Sequence, residues 1–521
     1  LATWGLWSYY GKKPVPSPGP EPSPGISEET QLARGKEVFT TYCAACHGDK
    51  GDGNGPAARF LNPKPRDFRT GSFRIVSTVN RRPSDDDLLL VITNGMPGSA
   101  MFPFAHLSEA DRKALVGHVR QLWRTGLEEV FRAKAEESGE EFDSSKVERL
   151  VQTGELATIP PAPPSVTAES VARGANLYRV KGCAACHGET GRGDGVQEQR
   201  NEDGAPTSPR DFTLGIFKSG QDRRQLYARI LLGMPGSPMP GSPTFTTEEI
   251  DDLVNFVQSL SPPGVSAKVE HKRQQLVAHR ATASLSAGLD EDVWNKVPAV
   301  PVVVSPLWWR PYVPPDFTVQ ALHDGQTLAL RLTWKDATCN NSVARPEDFE
   351  DMAAVQFFQG GPEPFLGMGA EGANVDLWQW RAGWHNPNGT AGGTLDDYPF
   401  DTPFYREKLK GQAIPDFLTA RAAGNQHVHA DASQTAASLG ARGFGSTTFR
   451  PRTSQRVTAQ SAWKDGRWTV VLRRPLQVGA DEGLSLGSGK ECSVAFALWD
   501  GAARDRNGQK LVSIWHSLKI E

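Results

Sequence analysis

The chain is short of cysteine, of net charge and of long apolar runs. Of its six cysteines in 521 residues, four fall in two CxxC pairs, which leaves only Cys339 and Cys492 for a disulfide. A formal net charge of −3 gives no basic excess for displacing counterions from phosphates, and this excludes nucleic acid as a partner. No uninterrupted apolar stretch reaches the roughly 20 residues a membrane-spanning helix needs. Nothing supplies the acid–base or nucleophilic constellation of a hydrolase or transferase. The composition is globular, with 38% hydrophobic and 22% charged residues, and the length fits about three domains.

The strongest pattern is an internal repeat. Ala33-Arg34-Gly35 ahead of Cys43-Ala44-Ala45-Cys46-His47-Gly48 recurs as Ala172-Arg173-Gly174 ahead of Cys183-Ala184-Ala185-Cys186-His187-Gly188. Pro65-Arg66-Asp67-Phe68 recurs as Pro209-Arg210-Asp211-Phe212, and Gly95-Met96-Pro97-Gly98-Ser99 as Gly233-Met234-Pro235-Gly236-Ser237. Each copy closes on an amphipathic helix. Ser108 with Asp111 opens the first, and Thr246 with Glu249 opens the second, in capping-box spacing. The chain therefore holds a duplicated helical domain, at 27–125 and 167–262. Between the copies, 126–166 reads as a charged helical stretch followed by a Pro-rich linker.

CxxCH carries specific chemistry. Two thiols on one turn reach two vinyl groups of a haem, and the next histidine faces the iron. Cys43, Cys46 and His47 are the expected anchors of one covalent haem c, and Cys183, Cys186 and His187 of a second. Both copies resemble class I cytochromes c over their full length. That resemblance implies a thioether as distal ligand, in a Met-Pro-x-Phe-like loop, and so favours Met101 and Met239, with Met96 and Met234 as alternatives. Arg66 and Arg210 are candidates for haem propionates, or for surface pairs with the adjacent Asp67 and Asp211. Haem c is attached outside the cytoplasm, so a periplasmic or other extracytoplasmic location is expected. Such a location also permits a Cys339–Cys492 disulfide, if the Cα atoms lie within about 7 Å.

At the N-terminus, Trp4, Trp7, Tyr9 and Tyr10 precede two lysines and look like the interfacial end of a membrane anchor or a trimmed signal peptide. Residues 14–25 are Pro/Gly/Ser-rich and read as an extended spacer, so 1–26 is expected to be a tether. A second linker spans 263–284.

From about residue 285 the character changes. Eleven of the fourteen tryptophans lie beyond this point. Alternating runs such as 327–334, 468–473 and 492–499 are bounded by Asp-Gly at 324–325, 465–466 and 500–501. They predict an antiparallel β-sandwich over 285–521. Residues 415–449, Gly/Ala-rich and polar, read as a long surface loop, with His427 and His429 as surface residues. The expected architecture is therefore multidomain, with two all-α cytochrome c domains followed by an all-β sandwich.

This third domain resembles the haem b-binding γ subunits of ethylbenzene dehydrogenase-type molybdoenzymes. The resemblance runs through Leu332-Thr333-Trp334-Lys335-Asp336, Pro364-Phe365-Leu366-Gly367-Met368-Gly369, Val375-Asp376-Leu377-Trp378, Arg474-Pro475-Leu476 and Lys510-Leu511-Val512-Ser513-Ile514-Trp515. It implies one non-covalent haem b between Met368 and Lys510, with Met352 as the alternative thioether. It also implies iron–sulfur and molybdopterin subunits as partners. The fusion to two c-type domains departs from the single-domain γ subunits. The chain thus reads as a non-catalytic electron-transfer subunit. The competing readings are a diheme c enzyme of thiosulfate-dehydrogenase or peroxidase type, and a cytochrome carrying a carbohydrate-binding module.

Overall fold

The computed structural model describes residues 27–69, 72–161, 165–282, 285, 291–341, 347–385, 435–443 and 445–521. The expected tether at 1–26 and the pair His427 and His429 lie outside these residues.

The first repeat is built on helices Glu28–Tyr42, Asp85–Asn94 and Glu109–Ser138, and the second on Ala168–Val180, Arg223–Leu232 and Thr247–Ser259. Side-chain oxygens of Ser27, Ser84, Ser108, Thr167, Asp222 and Thr246 cap their first turns, satisfying amides that no helical carbonyl reaches. At Thr246 and Glu249 both halves of the capping box form, whereas Ser108 caps alone. The repeated Ala-Arg-Gly lies at the crossing of the first and last helices. A Cβ on Gly35 would sit 2.2 Å from the Ala114 carbonyl oxygen, and one on Gly174 2.0 Å from that of Asp252. Only glycine lets the two helices approach so closely. The preceding arginines reach the same helices, Arg34 to Asp111 and Arg173 to Asp252, each at 2.6 Å.

The second repeat is not purely helical. It contains a hairpin pairing Gln199–Arg200 with Pro206–Thr207. The expected linker is likewise more integrated than its composition suggested. The closing helix of the first repeat continues to Ser138, a helix at Ser144–Val151 follows, and Val151 packs against Val116, Val119 and Trp123. Next the chain pairs with the first repeat, Ala157 N donating to the Ser77 carbonyl at 2.8 Å. Ala157 shares a small core with Val76 of the first repeat and Leu232 of the second.

The C-terminal domain is one 14-stranded mixed sheet. Its path runs from Thr448–Phe449 through Ala437–Ala441, Val375–Arg381, Met352–Phe358, Glu491–Trp499 and His516–Ile520. It continues through Gln275–Arg280, Thr318–His323, Thr327–Lys335 and Arg467–Pro475 to Thr458–Lys464. Along this path neighbours are antiparallel except where Gln275–Arg280 joins His516–Ile520 on one side and Thr318–His323 on the other. The sheet therefore begins about ten residues earlier than the change in composition predicts. The Asp465-Gly466 turn has both residues at positive φ, 52° and 69°, the conformation that lets a two-residue hairpin match strand twist. One face packs a core around Trp334, Trp378, Trp380, Trp468 and Phe496, and a second cluster gathers Trp384, Leu439 and Trp515.

Two expectations are corrected here. Within the predicted surface loop, Ala437–Ala441 is a strand paired with Val375–Gln379, and its alanines are buried. Small side chains suit a crowded interior strand, which composition alone reads as loop. The Cys339–Cys492 bridge is absent: both thiols are free, Cys339 exposed and Cys492 buried in its strand opposite Leu518.

The domains touch through specific bonds. The hairpin of the second repeat grips the first, with Glu202 accepting from Ser72 N and Oγ at 3.1 and 2.9 Å and Arg74 donating to Asn201 at 3.0 Å. On the other side, Asn62 of the first repeat inserts into the sheet domain. Its amide donates to the Leu307 carbonyl at 3.1 Å, and its carbonyl accepts from Trp309 at 2.7 Å.

Candidate haem sites

In both repeats the CxxCH segment is a short helical turn, Ala44–His47 and Cys183–His187. The turn brings the two cysteines of each motif to one side. Cys43, Cys46 and His47 line a cavity of about 830 Å3, within the range of cofactor sites. Burial pushes the Cys43 and Cys46 thiols up to about 12 and the His47 and His187 imidazoles down to about 4. Both histidines are therefore neutral at pH 7, the form that ligates iron. His47 Nδ1 lies 3.0 Å from the Arg66 carbonyl, so the proton sits on Nδ1 and Nε2 is left for a metal.

In the repeated Pro-Arg-Asp-Phe it is the phenylalanine side chain, rather than that of the arginine, that packs on the histidine ring. Phe68 stacks on His47 at 4.4 Å between centroids, and Phe212 on His187 at 4.8 Å. Phe73 and Phe217 continue each stack. Identical spacing in the two copies, Phe68 to Phe73 and Phe212 to Phe217, was the signal available in the sequence. The aspartates serve the turn: Asp67 accepts from Arg69 N and Asp211 from Thr213 N. Neither arginine pairs with its adjacent aspartate among the described residues. Arg66 instead meets Glu202 of the other repeat at 3.4 Å.

The methionine loops are also duplicated in detail. Met96 N donates to the Met101 carbonyl at 2.7 Å, and Met234 N to that of Met239 at 3.1 Å. Met96 and Met101 both line the cavity with His47. Met234 is buried and Met239 half-buried.

In the sheet domain, Lys510 Nζ lies 3.8 Å from Met368 Sδ and 4.9 Å from the centre of the Trp499 ring. Burial lowers the Lys510 pKa to about 8, bringing the amine within reach of its neutral, ligating form. Met368 adopts φ 83°, a conformation uncommon for a side chain of this size. The alternative Met352 is on a strand, its sulfur facing Gln379 at 4.0 Å. The structure thus brings Met368 and Lys510 together from positions 142 residues apart. The wall of the first repeat's cavity includes Phe365 and Leu366, just ahead of Met368, and Ile514 and Trp515, just past Lys510. The two candidate sites are near neighbours.

Eight of the eleven C-terminal tryptophans (Trp294, 334, 378, 380, 384, 468, 499 and 515) are buried. They are core residues, unavailable as a platform for sugars.

Residues 32–123 and 171–261 match the family model described as cytochrome c, and residues 291–511 the one described as ethylbenzene dehydrogenase. Three relatives are similar in sequence. A Haloferax mediterranei protein described as a respiratory nitrate reductase heme subunit is 27% identical over 43% of this chain and 65% of its own length. Chlorate reductase subunit gamma of Ideonella dechloratans is 30% identical over 39% of this chain and 63% of its own. Dimethylsulfide dehydrogenase subunit gamma of Rhodovulum sulfidophilum is 28% identical over 43% and 71%. The chain spans just under two thirds of the length of the first two.

Proposed function

From a chain that carries two cytochrome c domains and an ethylbenzene dehydrogenase-family domain, we propose a three-haem electron-transfer subunit of a molybdenum oxidoreductase complex. The cytochrome domains make it a haem-bearing electron-transfer protein. Beyond that, Cys43, Cys46 and His47 hold one haem c, and Cys183, Cys186 and His187 a second. Met101 and Met239 are the proposed distal ligands. Met368 and Lys510 hold one haem b. Haem, when bound, supplies one-electron exchange at iron.

The residues themselves set the terms of that exchange. His47 presents Nε2 because the Arg66 carbonyl holds Nδ1–H. Neutral imidazole and thioether ligands favour the reduced state. Lys510, largely desolvated beside Trp499, can give up its proton without leaving a charge stranded in an apolar wall. Partners are then redox proteins, with an iron–sulfur subunit docking at the sheet domain. Attachment of haem c implies an extracytoplasmic location. Among the described residues no helix is long and apolar enough to cross a membrane.

The single observation that carries the haem b assignment is the meeting of Lys510 and Met368 at 3.8 Å. The adjoining cavity walls favour an order of sites in which the first cytochrome domain is the middle station. Pyridine-haemochrome analysis of the full chain tests the count, with two haems c and one haem b expected. Lys510→Ala should remove or convert the b-type spectrum and leave both c-type spectra intact. An unchanged b-type spectrum in that variant, or none in the wild type, overturns the assignment.

A further inference from the structure

The two repeats place equivalent cations at equivalent positions, Arg66 with Arg74 in the first and Arg210 with Lys218 in the second. These four converge. All line the cavity that holds Cys43, Cys46 and His47, although Arg210 and Lys218 belong to the other domain. Arg210 is 7% exposed. It presses on the methionine loop of the first repeat, where a Cβ on Gly98 would stand 2.9 Å from its Nε.

Their pairing is sparse. Arg210 Nε and Nη2 and Arg74 Nε are buried with no hydrogen-bond partner among the described residues. The carboxylate paired with the cluster is Glu202, 3.4 Å from Arg66 and already accepting two bonds from Ser72. Arg74 has the neutral Asn201 amide. Lys218 is held well below its ordinary pKa by burial and then by Arg210, Arg74 and Arg66. It also acts electrostatically on His187 of its own domain, and so stands between the two CxxCH sites. Desolvated cations without anions are destabilising, and each haem would bring two propionate carboxylates to such a site.

We propose that Arg66, Arg74, Arg210 and Lys218 form one carboxylate-binding cluster shared by the haem sites of both cytochrome domains. The second domain's Arg210 and Lys218 complete the first domain's site, and the four cations would hold propionate carboxylates of both haems. This rests on the two-haem-c reading above but goes beyond it, because each arginine serving its own domain would satisfy that reading equally well. With haem bound, the group would supply one-electron exchange, and this cluster would set the charge beside both sites.

The test is a spectroelectrochemical titration of the full chain carrying Arg210→Gln or Lys218→Gln. The first domain's haem is marked by the bis-histidine electron-paramagnetic signal of a Met→His change in the Met96–Met101 loop. Removing a cation beside the propionates disfavours the reduced state. Each variant should lower the first domain's midpoint by at least a tenfold change in its reduction equilibrium, about 59 mV for one electron. Lys218→Arg should restore it. If only the second domain's haem moves, the shared cluster is wrong. Should either variant fail to mature, Arg66→Gln and Arg74→Gln read at the second domain's haem make the same distinction. Fewer than two haems c by pyridine haemochrome overturns the underlying reading instead.

Discussion

Phe68 lies nearly flat on His47, with ring planes 20° apart and centroids at 4.4 Å. The same pairing of Phe212 with His187 makes it a property of the repeat. With the Nδ1 bond to Arg66 it leaves the imidazole little freedom to rotate. Phe68→Leu should broaden the ferric electron-paramagnetic g-values of one haem c and leave the other's untouched. An unchanged spectrum would mean that the Arg66 carbonyl alone orients the ring.

The helix crossings make a sharper prediction about stability. Gly35→Ala and Gly174→Ala each push a methyl into a backbone carbonyl, at 2.2 and 2.0 Å. Each should destabilise its own domain by about 1–3 kcal/mol, the usual cost of overpacking. Denaturant unfolding followed at the c-type Soret bands should give two separated transitions in place of the wild-type pattern.

Distal ligation can be decided loop by loop. Met101→His and Met239→His should each lower one midpoint potential and abolish one thioether–iron charge-transfer band. Potentials that move only with Met96→His and Met234→His would assign the ligands to the other end of each loop. All six methionines of the chain fall in the three proposed haem-binding domains, two in each.

Stability of the sheet domain should depend on pH through Asp351. This carboxyl is fully buried, and burial, reinforced by Asp336, pushes its pKa up to about 7. It does so against bonds from Gly501 N, Asn340 N and Trp468 Nε1. An aspartate in the unfolded chain titrates near 4, so between about pH 4 and 7 the folded state holds the extra proton. The stabilisation is full below that window and is lost as pH rises through it. Thermal melting should fall over this range, and Asp351→Asn should flatten the slope.

How much of this was legible in the sequence differs by feature. CxxCH, the Ala-Arg-Gly crossing and the capping residues act within a few residues of themselves or recur in both copies, so pattern alone finds them. Met368 and Lys510 are 142 residues apart and could be paired only through family resemblance. The cation cluster was half visible: Arg66 and Arg210 stood out, but nothing local says that Arg210 faces the other repeat's cavity. The Ala437–Ala441 strand was missed because alanine and glycine carry no strand signal of their own. The separation of domains by linkers was overestimated, since composition registers charge and proline in a linker but not the core that Val151 and Ala157 join.

The fastening of Asn62 between Leu307 and Trp309 has a kinetic meaning. Leu307 N itself donates to the Lys510 carbonyl at 3.1 Å, so the first cytochrome domain is pinned by main-chain bonds to the residue proposed to ligate haem b. On the proposed haem assignment, transfer between these two sites requires no docking, diffusion or reorientation. Its rate should be indifferent to solvent viscosity, as conduction through a solid is. Only steps that hand electrons to separate proteins should slow as the medium thickens.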